Sequence, residues 1–390
     1  MPIHAARLER LPNYVFSIIG DRIRQMQAQG KRVYRLDIGN PDLPPPQEVV
    51  ETLARSAQNP THHGYTGYRG IAAFREAVAQ HYHERYRVSL DPTQNVLPLI
   101  GSKEGIVNLS LAYLDAGDLA LIPDVGYPSY RMGVILAGGE ICDVPLRAEN
   151  NYLPDVSHLS DETLEKAKLI WVNYPNNPTG YNADLEFYRS MVQFCEKHNI
   201  LLASDNPYVE VLFDGNTAYS ALQAVDHARY EHVIEFMSFS KSYNMAGWRL
   251  GAAVGSAEAL QRLLKIKSNM DSGHFHPIYD AGITALNVSQ DWIDKRNQVY
   301  QARRDRIMQI LPEVGLSAQK SAGSLYVWAK VEDMAASRYV ERALTEAHIS
   351  IAPGEAYGPG GKDYVRLSLG VPDAILDEAL DKLQVWYSKG

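Results

Sequence analysis

Short apolar runs and longer amphipathic stretches take turns along the chain from about residue 47 to 270. The runs fall at 95–100, 119–122, 140–144, 169–172, 200–203, 233–237 and 251–254. Between several of them lie stretches of helix length, at 103–114, 128–137 and 184–198, with apolar residues on one face. Runs this short and this continuously apolar predict strands buried on both faces, and their alternation with helices predicts a largely parallel sheet covered by helices on both sides. After 270 the texture changes. A charged helix is predicted over 290–310, where WIDKRNQVYQARRDRI has apolar residues at helical spacing. Strands are predicted at 325–330, 350–352 and 364–369.

Before residue 47 one helical stretch at 16–28 leads into GNPDLPPP at 39–46. Four prolines between 41 and 46 can neither continue a helix nor occupy a central strand. That passage is a connector whose glycine and unpaired amides can reach a ligand. The expected organisation is an N-terminal arm and connector over 1–46, packing with the smaller unit. A large α/β domain then covers 47–285, and a small α+β domain covers 286–390.

Composition narrows the function classes. Apolar residues make up 45% and charged residues 22%, which is ordinary for a globular protein. The formal charge of −8 argues against a nucleic-acid groove, which needs an excess of basic side chains. Cys142 and Cys195 are the only cysteines, so no disulfide framework exists and a reducing compartment is the simpler setting. The first twenty residues have no continuous apolar core or small-residue cleavage site, and no stretch approaches ~18 uninterrupted apolar residues. The expected location is the cytoplasm, with no membrane or nucleic-acid partner.

Ligands of an open parallel sheet bind where strand ends run into loops and helices, and five such ends carry unusual polar residues. GSKEG at 101–105 offers a tight turn and free amides at the start of a helix, a phosphate-binding arrangement; its plain alternative is a strand-to-helix turn. YPNNPTG at 174–180 is a rigid polar loop that no packing need explains, unless it is a simple turn. In ASDNPYVEVLF at 203–213, Asp205 ends an apolar strand, where an ionised carboxylate is costly unless paired; a helix cap is the alternative. Tyr208 follows three residues later. SFSKSYNMAGWRLG at 238–251 places Lys241 between two serines after an apolar strand. A buried lysine has its pKa lowered, which frees an amine to attack a carbonyl. Ser238, Ser240 and Arg249 together suit a phosphate. In DYVRLSLG at 363–370, Arg366 sits in an apolar strand and wants a carboxylate, from either a ligand or a structural ion pair.

Asn, then Asp with Tyr three on, then Lys with Arg eight on, then a late Arg: this layout resembles the fold-type I pyridoxal-phosphate enzymes, and nearly the whole chain is similar to the class I/II aminotransferases. The resemblance implies the PLP-dependent transferase fold and pyridoxal 5′-phosphate as cofactor. It implies that Lys241 links covalently to the cofactor and then carries the proton. Asp205 then pairs with the ring nitrogen, Tyr208 and Asn177 hold the phenolic oxygen, and Tyr127 stacks on the ring. Ser102, Lys103, Ser238 and Arg249 line the phosphate site, which Tyr65 reaches from the partner subunit of a homodimer with shared sites. Arg366, Asn177 and the Gly39 amide bind the substrate carboxylate.

Within that family VLPLIGSKEGI, IPDVGYPSYRMG, VNYPNNPTG and FSFSKSYNMAGWRLG are most similar to the LL-diaminopimelate aminotransferase branch. That implies amino transfer between LL-diaminopimelate and 2-oxoglutarate in lysine biosynthesis. Aminotransferases for alanine, aromatic or other amino acids share these motifs, and so does a C–S β-lyase of the same fold. A transcription regulator with an aminotransferase-like unit fits poorly, because the connector is reached by residue 38 and the net charge is negative. His274 and His276 either recognise a distal polar group of the substrate or are plain loop histidines. The pairs His62–His63 and His81–His83 lack evident partners for a metal, and no catalytic metal is expected.

Overall fold

The computed structural model describes residues 5–12, 15–226 and 229–389; part of the N-terminal arm expected over 1–46 therefore lies outside the described residues. Its strands in chain order are β1 (Tyr34–Arg35), β2 (Val96–Leu99), β3 (Leu119–Pro123), β4 (Glu140–Val144), β5 (Ala167–Val172), β6 (Leu201–Asn206) and β7 (Val233–Ser238). After them come β8 (Gly251–Gly255), β9 (Leu316–Ser317), β10 (Tyr326–Val331), β11 (Ile349–Ser350), β12 (Ala352–Pro353) and β13 (Tyr364–Ser368). β2 to β8 form one sheet of seven strands in the order β2-β8-β7-β6-β5-β3-β4. All are mutually parallel except β8, which runs antiparallel to both β2 and β7. The α/β reading of the sequence thus describes the molecule.

The alternation of side chains along each strand separates two cores. On β5, Ile170 and Val172 belong to the cluster around Phe74, Tyr82 and Tyr188. Leu169 and Trp171 point to the other side, with Ile106, Tyr130 and Leu260. Every residue of β6, β7 and β8 is buried, as a sheet with helices on both faces requires. The flanking helices begin at side-chain caps where the sequence supplies them. Asp184 accepts from the Phe187 amide and Ser256 from the Ala259 amide, each satisfying a helix-end donor that would otherwise lack a partner.

A second sheet, β12-β13-β10-β9, is antiparallel and packs over its own core with Tyr300, Ile307, Tyr339 and Leu376. The helix Gln290–Ile310 has the bounds its pattern predicts. β1 pairs in parallel with β11, and the Tyr34 hydroxyl donates to Glu378, so residues 34 and 35 are tied to the C-terminal part. No helix among the described residues is long and apolar enough to cross a membrane. Both cysteines are free.

Because β8 runs against its neighbours, its amino end joins the carboxyl ends of the six parallel strands on one edge of the sheet. Residues after β2, β3, β5, β6 and β7, and those before β8, therefore converge.

Candidate active site

A cavity of about 570 Å³ opens at that convergence. Gly39, Ser102, Lys103, Tyr127, Asn177 and Asp205 line it, and so do Tyr208, Ser238, Lys241, Arg249 and Arg366. Among the residues picked out from the sequence, Tyr65 is the exception. It is 92% exposed and not part of the lining. His274 and His276 do not line the cavity either. His274 is buried, with its Nε2 3.1 Å from the Leu99 carbonyl, and burial lowers its pKa.

Lys241 lies in the short helix Phe239–Ser242 that follows β7 directly. Its ammonium donates to the Gly39 carbonyl, so the proline-dense connector closes over it. Burial, reinforced by the charges of Arg366 and Arg249, lowers the Lys241 pKa to about 7. Near neutral pH much of this side chain is a free amine, the form that attacks a carbonyl or accepts a proton.

Asp205 is the penultimate residue of β6. It is a strand residue, not a helix cap. Burial raises its pKa to about 7, opposed by a hydrogen bond from the Tyr130 hydroxyl, which donates to Oδ2 at 2.7 Å. Its Oδ1 is buried and has no hydrogen-bond partner. An orphaned carboxylate oxygen at a cavity wall is matched by an N–H donor carrying positive charge, which would also restore ionisation.

Arg366 stands in β13 and is 4% exposed. Among the described residues no carboxylate pairs with it. Nη1 donates to Asn177 Oδ1 at 3.1 Å and Nη2 to the Asp37 carbonyl at 2.9 Å, while Nε has no partner. The guanidinium lies 3.8 Å above the Tyr326 ring and 4.8 Å from that of Tyr357. The structural ion pair left open by the sequence is thus absent among the described residues, and a buried cation held by neutral groups is a receptor for an anionic ligand.

The phosphate-like arrangement also assembles. The helix Ser102–Tyr113 begins at the cavity, so its first amides and its dipole face inwards. Arg249 holds a left-handed backbone, φ 57°, just before β8, and its Nη1 donates to the Ala246 carbonyl at 2.8 Å and to Ser240 Oγ at 3.4 Å. Gly101 has φ 72°, and a Cβ there would run into the Arg249 guanidinium. The positive φ favours glycine, and a side chain there would also displace the guanidinium. On the other wall the Tyr208 hydroxyl is 3.0 Å from that of Tyr326.

Several contributors carry no local sequence signal. Tyr130 orients Asp205, and its ring is stacked on Trp171 at 4.8 Å. Its position one helical turn after Tyr127 is the only hint. Asn173 donates to the Asp205 carbonyl at 2.6 Å and accepts from the Asn177 amide at 2.7 Å, joining two strand ends. Tyr326 and Tyr357 flank Arg366 from an apolar strand and from a short 3-10 turn.

Taken together, the wall offers a lysine amine, an N–H-seeking carboxylate, a cradle of cations and hydroxyls, and a buried guanidinium. These residues fit pyridoxal 5′-phosphate through its aldehyde, ring nitrogen and phosphate, and fit the carboxylate of an amino acid besides.

Comparison with known proteins agrees. Residues 31–383 match the family described as Aminotransferase class I and II. The chain is 44% identical to an LL-diaminopimelate aminotransferase of Dehalococcoides mccartyi, covering 98% of each chain. It is 42% identical to the Aquifex aeolicus protein of the same name over 97% of each. The apo structure of BacF from Bacillus subtilis superposes with a TM-score of 0.94 at 34% identity, covering 99% of both chains. The cavity at the strand ends thus belongs to an enzyme, and the chain is a member of the class I and II aminotransferases, which work with pyridoxal 5′-phosphate.

Proposed function

We propose that the enzyme transfers an amino group from LL-2,6-diaminopimelate to 2-oxoglutarate, in either direction, as a step of lysine biosynthesis. The observation that carries the substrate reading is the full-length similarity to LL-diaminopimelate aminotransferases at 40–44% identity. The residue roles rest on the geometry of the cavity.

When bound, pyridoxal phosphate supplies an electron-withdrawing ring that takes up the electrons released from the substrate Cα–H bond. In our reading Asp205 accepts the N–H of the ring nitrogen at its orphaned Oδ1 and keeps that nitrogen protonated, while Tyr130 holds the carboxylate in place. Tyr208 and Asn177 would donate to the phenolic oxygen, and Tyr127 would pack against the ring. Ser102, Lys103, Ser238 and Arg249 would hold the phosphate. Arg366, with Asn177 and the Gly39 amide, grips the α-carboxylate and so turns the Cα–H bond towards Lys241, a gain from positioning. Lys241 Nζ takes the proton from Cα and returns it on the cofactor side, a role suited to an amine with a pKa near the working pH.

We further propose a homodimer in the cytoplasm, with the arm and connector over 1–46, a large domain over 47–285 and a small one over 286–390. Tyr65, 92% exposed, supports the dimer as one member of a group of exposed apolar residues, the kind of surface that marks a partner interface. Tyr68, Met270 and Phe275 are likewise exposed, on two segments that meet where the Thr66 hydroxyl donates to the His274 carbonyl.

A screen of amino donors with 2-oxoglutarate, read as glutamate formed, tests the substrate reading. LL-diaminopimelate is expected to give the highest kcat/KM. If alanine or an aromatic amino acid is turned over while LL-diaminopimelate is not, the substrate is wrong and the transaminase class stands.

A further inference from the structure

We propose that Arg35 and Asp37 receive the distal end of the substrate, its second ammonium and second carboxylate together, a role that rests on the diaminopimelate reading above. Both residues line the catalytic cavity with Gly39 and Arg366, and neither side chain has a part in the chemistry at Cα. Arg35 ends β1, whose pairing with β11 sets it opposite Ser350. The Leu36 amide donates to the Ser350 carbonyl at 2.8 Å. Sheet hydrogen bonds therefore fix the backbone that carries the pair.

The hydrogen-bonding capacity of this pair is only partly used. Arg35 Nε donates to Asp37 Oδ1 and Nη2 to Oδ2, both at 2.7 Å. That bidentate contact leaves the N–H groups of Nη1 to donate elsewhere, and each carboxylate oxygen keeps a second lone pair. The Asp37 side chain is 2% exposed and that of Arg35 33%, so the carboxylate is sunk in the cavity wall while the guanidinium reaches open space. Among the described residues neither has another ion-pair partner. The complement of such a pair is a group that carries both charges. An ammonium on Asp37 and a carboxylate on Arg35 Nη1 add to the pair without breaking it, and every charge stays compensated.

The pair lies within reach of the α-carboxylate receptor, because both guanidinium groups are anchored on one residue. Arg366 Nη2 donates to the Asp37 carbonyl at 2.9 Å, and Arg35 grips the side chain of the same aspartate. Covalent geometry keeps the carbonyl and carboxylate oxygens of one aspartate within about 6 Å, so the two bound guanidinium nitrogens stand no more than about 12 Å apart. Extended diaminopimelate has about 7.5 Å between its carboxyl carbons, and with about 3 Å of hydrogen bond at each end it spans that gap. Ile38 and Phe16, which also line the cavity, offer apolar surface to the methylene groups between the two ends. The shorter 2-oxoglutarate has only a carboxylate at its far end, which Arg35 alone can receive. One subsite thus serves both substrates.

The test compares the holoenzyme with its Arg35→Gln and Asp37→Asn variants on donors that differ only at the distal end. These are LL-diaminopimelate, L-lysine, which lacks the distal carboxylate, and L-2-aminopimelate, which lacks the distal amine. Arg35→Gln should lower kcat/KM for LL-diaminopimelate relative to L-lysine by at least about tenfold, the size of one charge-assisted hydrogen bond. Asp37→Asn should lower it relative to L-2-aminopimelate by a similar factor. Glutarate, which cannot react, should bind the Arg35→Gln holoenzyme about tenfold more weakly by calorimetry, and Arg35→Lys should recover part of that loss. Arg35 is partly exposed, so its variants remain informative if Asp37→Asn melts early. If the parent enzyme does not turn over LL-diaminopimelate, the substrate reading fails, and glutarate still decides whether Arg35 receives a distal carboxylate. Equal losses for all three donors, or glutarate binding unchanged in Arg35→Gln, would overturn the proposal and leave a structural ion pair.

Discussion

Exchange of Lys241 for alanine is expected to reduce turnover by at least about 10⁴-fold while leaving the fold intact. Proton transfer by a positioned side chain contributes roughly 10²–10⁴-fold, and covalent attachment adds to it. Neither the two arginines nor the aspartate beside it can substitute. Arg249 and Arg366 stay protonated and cannot act as bases, and the Asp205 carboxylate is engaged by Tyr130. The fold should tolerate the change, because the ammonium makes a single hydrogen bond, to the Gly39 carbonyl, and its lowered pKa means that burial disfavours the charge. Circular dichroism and melting temperature check the fold, and single-turnover kinetics check the chemistry. A variant within tenfold of the parent enzyme would refute the role of Lys241.

Asp205→Asn is expected to cost about 10²–10³-fold in kcat, the size typical of removing one preorganised electrostatic group. The amide fills the same space and can still accept from Tyr130, but it cannot stabilise a positive ring nitrogen. The same substitution should raise the stability of the coenzyme-free protein. The folded pKa of Asp205 is raised from 3.8 to about 7, so the ionised group opposes folding in full above about pH 7. That penalty fades as pH falls from about 7 towards the ordinary value. The variant should therefore melt a few degrees higher than the parent at pH 8, with the gap narrowing by pH 5. Equal melting at both pH values, together with unchanged kcat, would show that Asp205 is neither buried alone nor part of the chemistry.

Much of this architecture was legible in the sequence because it is written in local periodicity. Buried strands such as β7 and the helix Gln290–Ile310 follow from runs and spacings alone. The strand-end rule then points to Asp205, Lys241 and Asn177, which do converge on one cavity. Features that depend on distant pairing were hidden. The antiparallel sense of β8, which brings Arg249 to the same edge as Lys241, has no local signature. Neither does the two-residue pairing of β1 with β11. Tyr130 had no signal of its own, yet it is buried and its hydroxyl finishes the Asp205 site. Arg366 in an apolar strand pointed to a carboxylate from a ligand or from an ion pair; among the described residues the fold supplies no ion pair and surrounds it with tyrosine rings and an asparagine.

The central claim is that the ε-amine of residue 241 forms the covalent bond to the coenzyme. It is tested most directly by reducing the pyridoxal-phosphate-loaded enzyme with borohydride, digesting it and sequencing the peptides by mass spectrometry. The account predicts one phosphopyridoxyl group per chain, carried on Lys241 alone. A reduced protein with no added mass on that residue, or with the group on another lysine, would contradict it.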